Sequence, residues 1–213
     1  MRTEDLIEAL ALDAPAQPAG FAGRRIGAAV LMGVAAAFVA LMVWLGPRPD
    51  LAQAVRDAFF WIKLAYALSF AVAGVALVDR YGRPGGVGGR RWLLVFVPIG
   101  LLALIAVGAS LGAGPAQLQR DWLGHSWTLC PLRILSLAAP VFVAALWAFQ
   151  KLAPTRLRLA GFAAGLMAGG AGAGVYCLAC DESAALFVLT WYTLGIFACA
   201  AIGAVVGPRL LRW

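Results

Sequence analysis

The fold class this chain predicts is all-α: a polytopic membrane protein with six transmembrane helices in one bundle. Three observations predict it, namely six apolar segments of bilayer-spanning length, a composition unlike that of soluble domains, and a one-sided distribution of Lys and Arg. A helix crossing the hydrocarbon needs roughly 17 to 25 residues, and the apolar segments run over 26–45, 59–78, 92–113, 132–147, 159–176 and 184–206. With no water available to backbone N–H and C=O groups, such a segment satisfies them internally by becoming a helix. The chain is 63% hydrophobic and 13% charged, with a mean hydropathy of +0.87. Soluble domains are about half apolar and about a quarter charged, so a soluble enzyme is excluded.

Residues 1–23 form a separate unit, a tail ahead of the transmembrane domain of residues 24–213. The tail carries Glu4, Asp5, Glu8 and Asp13, followed by a Pro-Ala-Gln-Pro-Ala-Gly linker. Thr3 can cap a helix whose first turn holds Glu4 and Asp5, where carboxylates favour the positive end of the macrodipole. Leu6, Ile7 and Leu10 then line one face at helical spacing, and Pro15 ends the helix. A helix of about a dozen residues is marginal alone in water, which makes this acidic, amphipathic segment suited to a partner's groove. An ordinary polar cap on a membrane protein is the plain alternative. The first span starts too late and runs too long for a cleavable signal peptide, so it is expected to stay.

Span two carries Lys63 about one turn from its start, and a cation near hydrocarbon costs free energy unless it pairs or reaches water. It is expected either to snorkel outward past Phe59 and Phe60 or to meet an acid such as Asp57, Asp181 or Glu182. In the latter case it links span two to the cysteine-bearing connection and stabilises a nearby thiolate. Arg133, at the start of span four, can snorkel in the same way. Span five contains Gly161, Gly165, Gly169, Gly170, Gly172 and Gly174, leaving one face without side chains where a neighbouring helix can pack closely. In span six, Cys199 reads as a small buried interface residue.

The basic residues orient the bundle. One set of connections carries twelve of them: Arg2, Arg24, Arg25, Arg80, Arg83, Arg90, Arg91, Lys151, Arg156, Arg158, Arg209 and Arg212. The other set carries three, Arg48, Arg56 and Arg120. Cationic loops are retained on the cytoplasmic side during insertion, so both termini are expected to be cytoplasmic. The net charge of +7 is then a topology signal plus attraction to the lipid bilayer, and no direct nucleic-acid partner is implied. The excess of Arg over Lys, with abundant Ala and Gly, fits a genome rich in G and C, and the expected location is a bacterial inner membrane.

Three of the four cysteines then fall at outer helix ends: Cys130 before span four, Cys177 and Cys180 between spans five and six. Disulfides persist in an oxidising compartment. A bond from Cys130 to Cys177 or Cys180 would tie two connections together, because it demands Cα atoms roughly 4.4 to 6.8 Å apart. A permanent staple and a switch are both compatible with this placement. Cys130, Cys177, Cys180 and His125 also have the ligand number and type of a closed zinc site, although one Cys-x-x-Cys with scattered partners is a weak metal signal. No other cofactor is implied.

Several stretches together resemble the NrsF-type anti-sigma factors, six-span bacterial inner-membrane proteins. They are Thr3-Glu4-Asp5-Leu6-Ile7-Glu8-Ala9-Leu10, Phe60-Trp61-Ile62-Lys63-Leu64-Ala65-Tyr66, Cys130-Pro131 and Leu152-Ala153-Pro154-Thr155-Arg156. Cys180-Asp181-Glu182-Ser183, leading into Trp191-Tyr192-Thr193-Leu194-Gly195, completes the set. The resemblance covers nearly the whole chain. It implies that Thr3, Glu4, Asp5, Leu6, Ile7, Glu8 and Leu10 bind an extracytoplasmic-function sigma factor, and that Cys130 and Cys180 form an outer pair sensing oxidants or thiol-reactive metals. The chain departs from the family pattern at Ala179 and Asp181, which flank Cys180, and Cys177 is an additional cysteine.

Two other classes remain beside this non-enzymatic regulator. A transporter is expected to show a deep acid or a broken helix at the midplane, and no Asp or Glu lies deep within a span. A membrane thiol oxidoreductase using Cys177 and Cys180 needs an electron carrier, and no heme or flavin motif is present.

Overall fold

The computed structural model describes residues 3–4, 21–81, 92–149 and 156–211, and every regular element among them is helical. The order is α1 (Phe21–Trp44), a single turn α2 (Leu51–Ala54), α3 (Ala58–Tyr81), α4 (Leu93–Ser110), α5 (Pro115–Leu123), α6 (Cys130–Phe149), α7 (Leu157–Tyr176) and α8 (Ala185–Leu210). Six of these, α1, α3, α4, α6, α7 and α8, are long and apolar enough to cross a membrane. The predicted spans agree within a few residues. The fourth begins earlier than expected, so Cys130 is the first residue of α6 rather than part of the preceding connection.

Helix α7 is the axis of the bundle. It packs against α8, α3, α6 and α1, whereas α4 sits at the periphery against α3 and the start of α8. Small residues make this centrality feasible. A Cβ on Gly161 or Gly165 would overlap the backbone carbonyl oxygen of Gly203 or Cys199 on α8, and a Cβ on Gly170 would overlap the Ala71 nitrogen on α3. Backbones therefore touch directly, the close approach that small residues allow between membrane helices. Cys199 is buried in the α7–α8 contact. At the end of the bundle opposite Cys130, Cys177 and Cys180, the Arg25 guanidinium lies 4.8 Å from the Trp147 ring centre and joins α1 to α6.

Helix α8 is not regular. Residues Val188–Tyr192 form one π-helical turn, and the Thr190 hydroxyl donates back to the Leu186 carbonyl of the preceding turn at 2.7 Å. Such turns insert a residue into the helix and re-aim the side chains around it, often at functional sites. Here the re-aimed side chain is Tyr192, which is fully buried.

Gly165→Ala is expected to cost about 1–3 kcal/mol by overpacking and to lower the unfolding midpoint in detergent. Gly100→Ala, where nothing lies within 4 Å of the added methyl, should leave stability within about 0.5 kcal/mol. Equal behaviour of the two variants would contradict backbone contact between α7 and α8.

Candidate functional site

The connections after α1, α5 and α7 meet at one end of the bundle. The Arg48 backbone N–H donates to the Leu178 carbonyl at 3.0 Å, the Trp191 indole donates to the Trp122 carbonyl at 2.7 Å, and the His125 N–H donates to the Glu182 carboxylate at 2.6 Å. Cys130, Cys177 and Cys180 are gathered at this end, and they are 0%, 0% and 2% exposed. All four cysteines of the chain carry free thiols.

The segment after α7 stays wound. Cys177 N–H donates to Ala173, Leu178 N–H to Val175, and both Ala179 and Cys180 N–H to Tyr176. This coil holds the Cys177 and Cys180 thiols inside the protein, within electrostatic reach of Cys130 and Lys63. The buried Tyr192 hydroxyl lies beside the same two thiols without a hydrogen bond of full geometry. Tyr176 stacks on Tyr192 with ring centres 5.9 Å apart.

Lys63 corrects the sequence expectation. It does not snorkel: it is 2% exposed. Nor does it pair with a carboxylate among the described residues. Its ammonium donates to the backbone carbonyls of Cys180 at 2.9 Å and Glu182 at 2.8 Å, and lies 5.2 Å from the Tyr192 ring centre. The expected link between span two and the cysteine-bearing connection is present, but its acceptors are main-chain oxygens. They are available because residues 181–184 leave the helix and free carbonyls that α7 would otherwise satisfy. Arg48 reinforces the clamp, donating to the Cys180 carbonyl at 3.3 Å while bonding Asp50 through two nitrogens. That pairing raises the Arg48 pKa and lowers that of Asp50.

Glu182 serves a different neighbour. Its side chain, 7% exposed, accepts from the backbone N–H groups of His125 and Ser126 and from the Ser126 hydroxyl at 2.6, 3.0 and 3.2 Å. Gly124 permits this arrangement, because its φ of +55° suits glycine and a Cβ there would lie 2.6 Å from the carboxylate. The zinc candidate is not assembled: among the described residues no group of three or more His, Cys, Asp and Glu is placed to hold a metal. His125 contributes its backbone, and its imidazole points outward with 96% exposure. Arg133 donates to the Tyr176 hydroxyl at 3.4 Å.

Of the tail residues, Thr3 and Glu4 are helical and exposed, while Asp5, Leu6, Ile7, Glu8 and Leu10 lie outside the described residues. Sequence reasoning did not find Arg48, Gly124, Ser126, Tyr176 and Tyr192, nor the surface helix α5. Gly124, a glycine beside Trp122 and His125, carried the signal of a turn, Tyr192 stood in one of the stretches that resemble the family, and Arg48 entered only as a topology charge.

Glu182→Ala leaves three donors unpaired and should lower stability by about 1–3 kcal/mol, read as a reduced unfolding midpoint. Burial pushes the Cys177 thiol up to about 12, with the Lys63 charge acting in the opposite direction. In a protein with Cys130, Cys180 and Cys199 replaced by serine, maleimide alkylation of Cys177 should therefore keep rising about tenfold per unit of pH through 7 to 10, since only the growing thiolate fraction reacts. A plateau near pH 9, where an ordinary thiol is already ionised, would contradict the buried environment.

The comparisons with known proteins agree on one family. No solved structure matches the chain. It is 41% identical to the anti-sigma-F factor NrsF of Caulobacter vibrioides and 40% identical to the probable anti-sigma-F factor NrsF of Azospira oryzae, in each case over the full length of both chains. A family model described as negative regulator of sigma F, NrsF, matches residues 10–213, and with these matches the six-helix chain belongs to the NrsF family.

Proposed function

We propose that this protein is an anti-sigma factor of a bacterial inner membrane, with both termini cytoplasmic. It holds an extracytoplasmic-function sigma factor inactive and releases it when Cys130, Cys180 and the additional Cys177 react with oxidants or thiol-reactive metals. Residues 1–23 are the partner-binding tail, with Thr3, Glu4, Asp5, Leu6, Ile7, Glu8 and Leu10 as the contact segment, and residues 24–213 are the sensing bundle. Family membership favours this class over the transporter and the thiol oxidoreductase, since the relatives are named as regulators.

The observation that carries the sensing role is the gathering of three buried thiols at the end of the bundle to which the basic residues assign the outer face. Release is a population shift between two helix arrangements. Swinging such an equilibrium from 1:99 to 99:1 takes about 5.5 kcal/mol, and a disulfide typically supplies about 2–4 kcal/mol of that.

The test is a pull-down of soluble partners from cells. Full-length protein should enrich a sigma factor, a chain lacking residues 1–14 should lose at least about 90% of it, a shift of roughly 1.4 kcal/mol or more, and Cys130→Ser with Cys180→Ser should abolish stress-induced transcription. Enrichment unaffected by the deletion removes the tail's role, and an unchanged stress response in the double serine protein removes the sensing role.

A further inference from the structure

Lys63 is a buried cation held by a segment that carries two of the thiols. Its two close acceptors, the Cys180 and Glu182 carbonyls, both belong to the stretch after α7. Cys177 and Cys180 are 0% and 2% exposed, so a group added at either sulfur must be accommodated inside the protein. An adduct there must displace the surrounding backbone, since close-packed interiors accommodate extra atoms only by moving. Displacing that stretch carries its carbonyls away from the ammonium.

An ammonium without partners in a low-dielectric interior is strongly unfavourable. A polar volume lies next to it. A cavity of about 480 Å³ is lined by Lys63 itself together with Arg48, Asp50, Arg56, Asp57 and Glu182. The acids there are already committed: Asp50 to Arg48, Asp57 to the Phe59 N–H, and Glu182 to His125 and Ser126. Water in this cavity can solvate a cation that has lost its carbonyls. Lys63 already borders it and stands near one end of α3, a 24-residue helix with no proline or π-turn to absorb a motion. At 1.5 Å per residue such a helix spans about 36 Å, and its other end, Tyr81, lies on the opposite side of the bundle.

We infer that Lys63 is the positioning residue through which the cysteine site acts on the bundle. Displacement of the Cys180 and Glu182 carbonyls drives its ammonium into the polar cavity and moves α3. This inference rests on the sensing role proposed above.

The experiment uses the full chain in phospholipid nanodiscs and methyl methanethiosulfonate as the probe. A cysteine thiolate attacks the methylthio sulfur, a new S–S bond forms, the thiosulfonate S–S bond breaks, methanesulfinate leaves and the thiol proton passes to water. Amines are then acetylated with acetic anhydride and located by mass spectrometry. The chain has two lysines, Lys63 and Lys151, so assignment is unambiguous and Lys151 serves as the reference. Acetylation of Lys63 relative to Lys151 should rise at least about tenfold after thiol modification, as a local opening requires. Unchanged protection of Lys63 with Cys177 and Cys180 both modified would overturn the inference. In a second arm, bound sigma factor should leave the wild-type and Lys63→Arg proteins on modification, because arginine also carries a charge that must be solvated. It should stay on Lys63→Met, which binds it normally beforehand. Release from Lys63→Met equal to wild type would also overturn the inference. Absence of any sigma-factor binding to wild-type protein defeats the proposed function instead, and the acetylation arm still decides the role of Lys63.

Discussion

A lysine ammonium buried among helices, with backbone carbonyls as acceptors, is the interaction on which the cysteine end of this bundle depends. Hydrogen bonds from a charged donor are worth about 1.5–3 kcal/mol each, and Lys63 makes two to one short segment. Those bonds fix the stretch after α7 against α3. Arg48 fixes the same stretch against the connection after α1, and Glu182 fixes the connection after α5. Three otherwise independent connections become one layer, and the thiols of Cys130, Cys177 and Cys180 are enclosed beneath it. Loss of either carbonyl takes a partner from the ammonium in its present position, so the layer is held as a unit rather than contact by contact.

The second constraint is the small-residue surface of α7. A helix that touches α1, α3, α6 and α8 must let several backbones approach at once, and van der Waals packing is the main attraction available between helices in lipid. Gly161 and Gly165 toward α8, and Gly170 toward α3, provide that approach. Because α7 ends at Tyr176 and the cysteine segment continues directly from it, the thiols stand on the most enclosed helix of the bundle. The same helix contacts both α3, which carries Lys63, and α8, whose π-turn sets Tyr192 beneath the ammonium.

The six spans were legible because hydrocarbon imposes a length and an apolarity that sequence displays directly, and the glycines of span five announced a close helix contact. Cys130, Cys177 and Cys180 were legible as a group from their positions at alternate helix ends. Burial of those thiols was not legible, since it arises from three connections folding over them. Lys63 was visible as an anomaly, but its acceptors were not: carbonyls are common to every residue, and only the geometry of residues 177–184 shows which are unsatisfied. Tyr192 was hidden for a related reason, because a π-turn is an extra residue in an otherwise ordinary apolar helix. His125 misled, as its imidazole drew the metal reading while its backbone N–H does the bonding.

With two lysines in the chain, the clamp has a direct spectroscopic signature. In full-length protein labelled with 15N-lysine, the Lys63 ammonium should give a resonance whose protons exchange slowly with water, and that resonance should vanish in Lys63→Met. A Lys63 ammonium exchanging as fast as a solvent-exposed lysine would contradict the clamp, and with it the account of how the cysteine end is held together.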